Sequence, residues 1–428
     1  MQNSKQPKIL APAGSFDSLT AAIKAGADAV YFGIADFNMR ASAARNFKKE
    51  NLGKIVKQCK KNNVETNLTV NTVLYNQEIE KMKRIIDSAK DSGIDAIICA
   101  DQAAIQYGHS KGLRVNISTQ VSVSNTETVK FYSNFADRII LARELTLNQV
   151  QEICNDIKKQ EIKGPSGNLV EIEVFAHGAL CVAVSGRCAM SLYHYNTSAN
   201  RGRCAQICRR RFRLTDIETN KEVDVDHNYI MSSADLCTIG MLPEIVETGV
   251  DILKFEGRGR PPEYVKTVVT CYKEALDAIA DKTFTEDKVE KWNQRLGTVF
   301  NRGFCTGFYM GRKIDEWAKA HGSKSTEEKT IAGYVEHYYD KIKVAHVKID
   351  ADIEINNKDK FLITGPTTGA VSGKLTGMMI DDKEVNKAKQ GDDLTFKVPE
   401  KVRKNDKFFI VRRRNSFIPR GKEKLLNN

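Results

Sequence analysis

The chain is 428 residues long and carries 66 Lys and Arg against 54 Asp and Glu, a net charge of +12, with 10 cysteines. This length accommodates two or three domains with a large core, and the basic excess points to a polyanionic partner such as RNA. No run reaches membrane-spanning length, and the opening Met-Gln-Asn-Ser-Lys-Gln-Pro-Lys lacks the apolar stretch of a signal peptide. A cytoplasmic protein without membrane segments is therefore expected, in a compartment where clustered cysteines serve metals or redox chemistry rather than disulfides.

Through residues 1–284 apolar strand-like runs alternate with amphipathic helices. Four junctions repeat one pattern: Gly26-Ala-Asp28, Gly93-Ile-Asp95, Phe135-Ala-Asp137 and Gly249-Val-Asp251, each followed by an apolar run. Glycine in a left-handed conformation stops a helix, and the Asp stands just before a buried strand. Strands are predicted to begin near Lys8, Asp28, Val64, Asp95, Arg114, Asp137, Glu171 and Asp251. Helical spacing lies between them: Leu52, Ile55, Val56 and Cys59 share one face, as do Val150, Ile153, Cys154 and Ile157. Eight βα units with right-handed crossovers predict an α/β fold, a TIM-like (β/α)8 barrel. The seventh unit holds an insertion, about 178–248, placed directly after a strand, where such barrels carry their chemistry. A charged helical connector is predicted over 285–330. Short alternating strands over 331–415, parted by Asn356-Asn357, Gly365-Pro366 and Gly391-Asp392, predict a small antiparallel β-barrel, followed by a basic tail at 416–428.

The insertion carries Cys181, Cys188, Cys204 and Cys208 among glycines and seven arginines, Arg187, Arg201, Arg203, Arg209, Arg210, Arg211 and Arg213. Cys59, Cys99, Cys154 and Cys271 sit in regular apolar patterns and read as core; the four in the tract do not. Thiolates are soft ligands, and the spacing is not that of a zinc ribbon, so an iron–sulfur cluster is expected before zinc. Cys237, in Ser232-Ser-Ala-Asp-Leu-Cys237, is a further candidate ligand. The guanidinium forks of Arg187, Arg201 and Arg203 suit a carboxylate or phosphate, or offset the charge of a metal centre. Arg258, in Gly257-Arg-Gly259-Arg-Pro-Pro after the eighth strand, stands where barrels often bind phosphate; a structural tight turn is the other reading. Glu173 and His177 are four residues apart and share a face if the strand stays regular; there they could move protons or support the metal loop. Gly108-His-Ser110-Lys-Gly112 matches a nucleophile elbow in letters only, because it ends a helix and precedes a strand. The remaining peptidase route would pair His177 with Cys181 or Ser185.

Glu173-x-Phe-x-x-Gly178-Ala-Leu-Cys181-x4-Gly186-x-Cys188-x-Met-Ser191 resembles the signature of the collagenase-like peptidase family of unassigned catalytic type, U32. Leu10-Ala-Pro-Ala-Gly-Ser15 and Ser198-Ala-Asn-Arg-Gly-Arg-Cys204 are similar to other parts of that family. The resemblance implies two activities. One is peptide hydrolysis. The other is oxygen-independent hydroxylation with a 4Fe–4S cluster, in the RNA reactions linked to prephenate. Carried over by motif, the cluster ligands would be Cys181, Cys188, Cys204 and Cys237, with Cys208 competing for a place. The two-domain form and the basic balance look most like the tRNA branch, which implies wobble-uridine hydroxylation in an anticodon loop, and prephenate, a dicarboxylate, would suit the arginines. The alternatives are a collagenase-like peptidase and an iron–sulfur partner protein in a larger RNA-modification complex.

Overall fold

The computed structural model describes residues 6–34, 37–41, 46–184, 187–223, 229–311, 317–319 and 322–414. Eight parallel strands close into a barrel: β1 (Lys8–Pro12), β2 (Ala29–Phe32), β3 (Glu65–Val70), β4 (Ala96–Cys99), β5 (Arg114–Ile117), β6 (Arg138–Ile140), β7 (Glu171–Ala179) and β8 (Ile252–Phe255). Each pairs with the next, and β8 pairs with both β7 and β1. Helices α1 (Phe16–Lys24), α2 (Leu52–Lys60), α3 (Ile79–Asp91), α4 (Gln102–Ser110), α5 (Thr126–Ser133) and α6 (Leu147–Lys159) lie between the strands. α7 (Met190–Tyr195) and α8 (Leu242–Glu247) follow β7, and α9 (Pro262–Ala280) follows β8.

The repeated junctions have a physical reason. Gly26, Gly93 and Gly249 sit at φ +91°, +76° and +84°, left-handed positions that end the preceding helices cheaply only as glycine. The aspartates that follow reach sideways: Asp28 accepts from the Ile9 N–H at 2.8 Å, Asp95 from Thr66 at 2.8 Å and Asp251 from Ile172 at 2.9 Å. Each carboxylate satisfies an N–H on the neighbouring strand, which helps fix the register of the barrel.

Barrel interiors are usually filled by branched apolar side chains; this one is partly polar. At the N-terminal end Arg138, wholly buried, bridges Glu65 at 2.9 Å and Glu171 at 2.8 Å, and Arg114 joins both carboxylates. One layer up, the Asn116 amide donates to Asn67 at 2.7 Å. These groups close the bottom of the barrel.

The connector is helical only over α10 (Glu286–Thr298), shorter than the 285–330 expected. Trp292 and Leu296 bury that helix in the barrel's core, and Phe304–Cys305 adds a strand to the barrel sheet. Beyond it, eight antiparallel strands from Glu327 to Arg413 surround a separate core that includes Val347, Phe361, Phe396 and Phe408. This sheet packs on α1 and α9: the Thr20 hydroxyl donates to Pro366 O at 2.6 Å and Lys266 Nζ to Ala370 O at 2.9 Å. The predicted tail from 416 and Ser185 lie outside the described residues. Among those residues no helix is long and apolar enough to cross a membrane.

Candidate functional site

A cavity opens at the C-terminal ends of the strands, the face on which barrels of this kind place their chemistry. Its floor is charged. Lys254 of β8 donates to Glu173 of β7 at 2.7 Å, with its ammonium 4.5 Å from the Tyr31 ring centroid. Burial depresses the pKa of Lys254, and Glu173 partly restores it. Arg258 donates to Asn38 Oδ1 and Thr69 Oγ1, each at 3.0 Å, and burial lowers it to about 10. Burial pushes Glu256 up, but Arg40, 2.9 Å away, together with Arg260 and Arg143, more than offsets this and leaves the carboxyl below its usual range. Arg143 stacks 4.0 Å above the Phe175 ring and donates to Ala179 O at 3.2 Å. The lining therefore holds four cations, Arg40, Arg143, Lys254 and Arg258, against Glu144 and Glu256.

The excursion after β7 forms the opposite wall. Cys181, Cys188, Cys204 and Cys208 all line this one cavity. Burial raises Cys208, with the nearby Cys181, Cys204 and Cys188 adding to the rise and Arg209 opposing it. Three anchors hold the wall. Arg209 donates to Ser233 O at 2.8 Å and Leu180 O at 2.6 Å. Arg201 grips Glu78 at 2.6 and 2.7 Å and stacks 3.9 Å from the Tyr75 ring. Gly202, at φ +77°, lies so near the loop below that a Cβ would come within 2.3 Å of Asn38 O.

Four thiols on one cavity fit a thiolate-bound centre in kind and number. They are not preset in ligating geometry: among the described residues no three His, Cys, Asp or Glu side chains are placed to hold a metal ion. Cys237 is not part of this wall. It lies on the short strand Asp235–Cys237, antiparallel to β7 and opposite His177, with its sulfur 3.8 Å from Asn293 Oδ1 and 4.0 Å from the Tyr272 hydroxyl. Burial there lifts its thiol to about 11.

Glu173 and His177 do not share a face. The pairing of β7 with β8 shifts register between Lys254 and Phe255, so Phe175 lines the cavity while His177 turns outward. His177 is buried between Tyr264, Tyr272 and Phe304, and burial depresses it to about 3, with Arg260 adding to the effect. It is not among the residues that line the cavity. Glu173 lies beneath the floor as the counter-ion of Lys254. Of the predicted anion-binding arginines only Arg258 lines the cavity; Arg201 is a strut, and Arg187 and Arg203 are exposed and outside the lining. Lys254, Glu256, Arg40 and Arg143 were not singled out from the sequence. Two of them had a signal, since Lys254 and Glu256 alternate in an otherwise apolar run, which marks a charged inward face.

A closed (β/α)8 barrel with a cysteine-lined, cationic cavity at its C-terminal mouth defines the class. The chain belongs to peptidase family U32, whose model matches residues 14–319. It is 46% identical over 402 residues to a Porphyromonas gingivalis protein named collagenase, covering 94% of this chain and 97% of that one. It is also 32% identical over 344 residues to tRNA hydroxylation protein P1 of Bacillus subtilis, covering 78% of each. With tRNA hydroxylation protein P of Escherichia coli the identity is 28% over 363 residues, covering 73% of this chain and 76% of that one.

Proposed function

We propose that this protein is an RNA-modifying enzyme that hydroxylates the wobble uridine of tRNA to 5-hydroxyuridine without molecular oxygen, with prephenate as co-substrate. The observation that carries this reading is the facing of four thiols and a cationic floor across one cavity, with the neighbouring histidine sealed behind β7. Cys181, Cys188, Cys204 and Cys208 would hold a 4Fe–4S cluster, Cys208 taking the place that the family resemblance gave to Cys237. When bound, such a cluster supplies one-electron chemistry.

The chain's own residues would do the rest. Arg143, Lys254 and Arg258 offer donors to the carboxylates of prephenate, in a setting where burial strengthens each contact. Glu256 holds Arg40 in place. The uridine would have to enter unstacked, as an anticodon loop presents it, because a base inside a duplex cannot reach a recessed floor. Both the relatives named for tRNA hydroxylation and the basic balance support this reading.

The test is mass spectrometry of tRNA nucleosides from cells lacking the protein, complemented with variants. Loss of 5-hydroxyuridine is expected, restored by the wild type and by Cys237→Ala but not by Cys208→Ala. Unchanged 5-hydroxyuridine in the deletion would overturn the proposal. A second reading, a collagenase-like peptidase, is favoured by the name of the relative at 46% identity. Gelatin hydrolysis that survives replacement of all four wall cysteines would support it instead.

A further inference from the structure

From Cys181 to Arg213 the chain contains seven arginines and no Asp or Glu. The structure sorts those arginines by task. Arg201 and Arg209 are bound into the fold, as described above, and Arg213 pairs with Glu222 at 3.0 Å on the surface. Arg187, Arg203 and Arg211 are exposed and have no carboxylate partner among the described residues. A surface guanidinium with no carboxylate partner is a standing site for an anion.

Beside these cations stand exposed rings. α7 sets Met190 and Ser191 in the cavity lining and leaves Tyr193, 90% exposed, and Tyr195, 47% exposed, on its flanks outside that lining. Arg210 donates to the Tyr195 hydroxyl at 2.5 Å and lies 5.3 Å from its ring centroid. On another part of the rim, Arg201 stacks on the half-exposed Tyr75, and the Val73 N–H donates to Asn200 O at 3.1 Å, holding that loop beside the mouth. An aromatic ring this exposed forgoes burial, and it belongs to the same excursion as the unpaired guanidiniums.

We propose that the outer face of this excursion is a grip for single-stranded RNA, in which Tyr193 and Tyr195 stack on unpaired bases beside the reacting nucleotide while Arg187, Arg203 and Arg211 hold the phosphates. Rings that stack on any base, interleaved with cations that track a backbone, are the chemistry of single-strand recognition, whereas a paired helix offers phosphates but no free base faces. The inference deepens the RNA-modifying reading and rests on it: it names the surface that delivers the base to the floor.

The test measures binding rather than turnover, using the full chain and a fluorescently labelled anticodon stem-loop. Tyr193→Ala and Tyr195→Ala should each weaken binding roughly tenfold, and Tyr193→Phe should bind as the wild type does. Arg203→Ala and Arg211→Ala should each reduce the slope of log affinity against log salt by about 0.7. A fully paired duplex should bind more weakly and be indifferent to the tyrosine changes. If the wild type binds the stem-loop and the Tyr193→Ala, Tyr195→Ala double variant binds it equally well, the grip is overturned while the hydroxylase reading stands. A wild type that binds denatured collagen but not the stem-loop overturns both.

Discussion

Two residues on either side of β7 carry the clearest single-site consequences. His177 stays neutral in the folded protein down to about pH 3, whereas in the unfolded chain it takes a proton near the usual pKa of about 6.5. Below that value the unfolded state binds the proton and the folded state does not. Stability is therefore fully present above pH 6.5 and falls with pH from there, by up to about 1.4 kcal/mol per unit. Denaturant titrations of wild type and His177→Gln between pH 7 and pH 5 should show the wild type losing more, and equal slopes would contradict the placement of this ring. Lys254 and Glu173 form a buried pair in which the second carboxylate oxygen, Oε2, has no hydrogen-bond partner among the described residues. Lys254→Met would strand that charge and cost about 3–5 kcal/mol. Adding Glu173→Gln to the same chain should return most of the loss in urea unfolding, since what is then removed is the stranded charge.

At the scale of elements, β7 does two things at once. Its first half pairs with β8 as a barrel strand, and its second half pairs with Asp235–Cys237. Gly178, at φ +108°, makes the join: a Cβ there would fall 2.3 Å from Glu256 O. Gly178→Ala should cost about 1–3 kcal/mol from the backbone alone, with the clash added, and should show as a lowered urea midpoint. The strands themselves were legible in the sequence. Their starts fall within one residue of the predicted ones; at three of the eight, the glycine and aspartate of the junction have fixed tasks that any reader of turn chemistry can recognise. The bulge was not legible. Nothing in Glu173-Val-Phe-Ala-His177 signals an extra residue, and one such residue turned a predicted proton carrier away from the site. The four thiols were legible as a group because they broke the apolar pattern, but which of five cysteines stood together depended on how a long excursion returns to the barrel. Sequence spacing does not contain that information.

At the scale of the molecule, the barrel and the C-terminal sheet hold separate cores, joined by a small apolar contact of Ala21, Leu362 and Ala370 and by the polar bonds of α1 and α9. Every residue that lines the cavity comes from the barrel, its excursion and the connector. The far end of the barrel is shut by Arg138 and its glutamates. A vessel closed at its far end imposes an itinerary on its visitors. If a large nucleic acid settles across its doorway, the small acid must already be aboard, and its spent form can depart only after the larger guest has gone. Initial-rate kinetics should accordingly show compulsory order, with the acid's remnant competing against the acid and the RNA product competing against neither substrate, and random arrival would mean that a second passage exists.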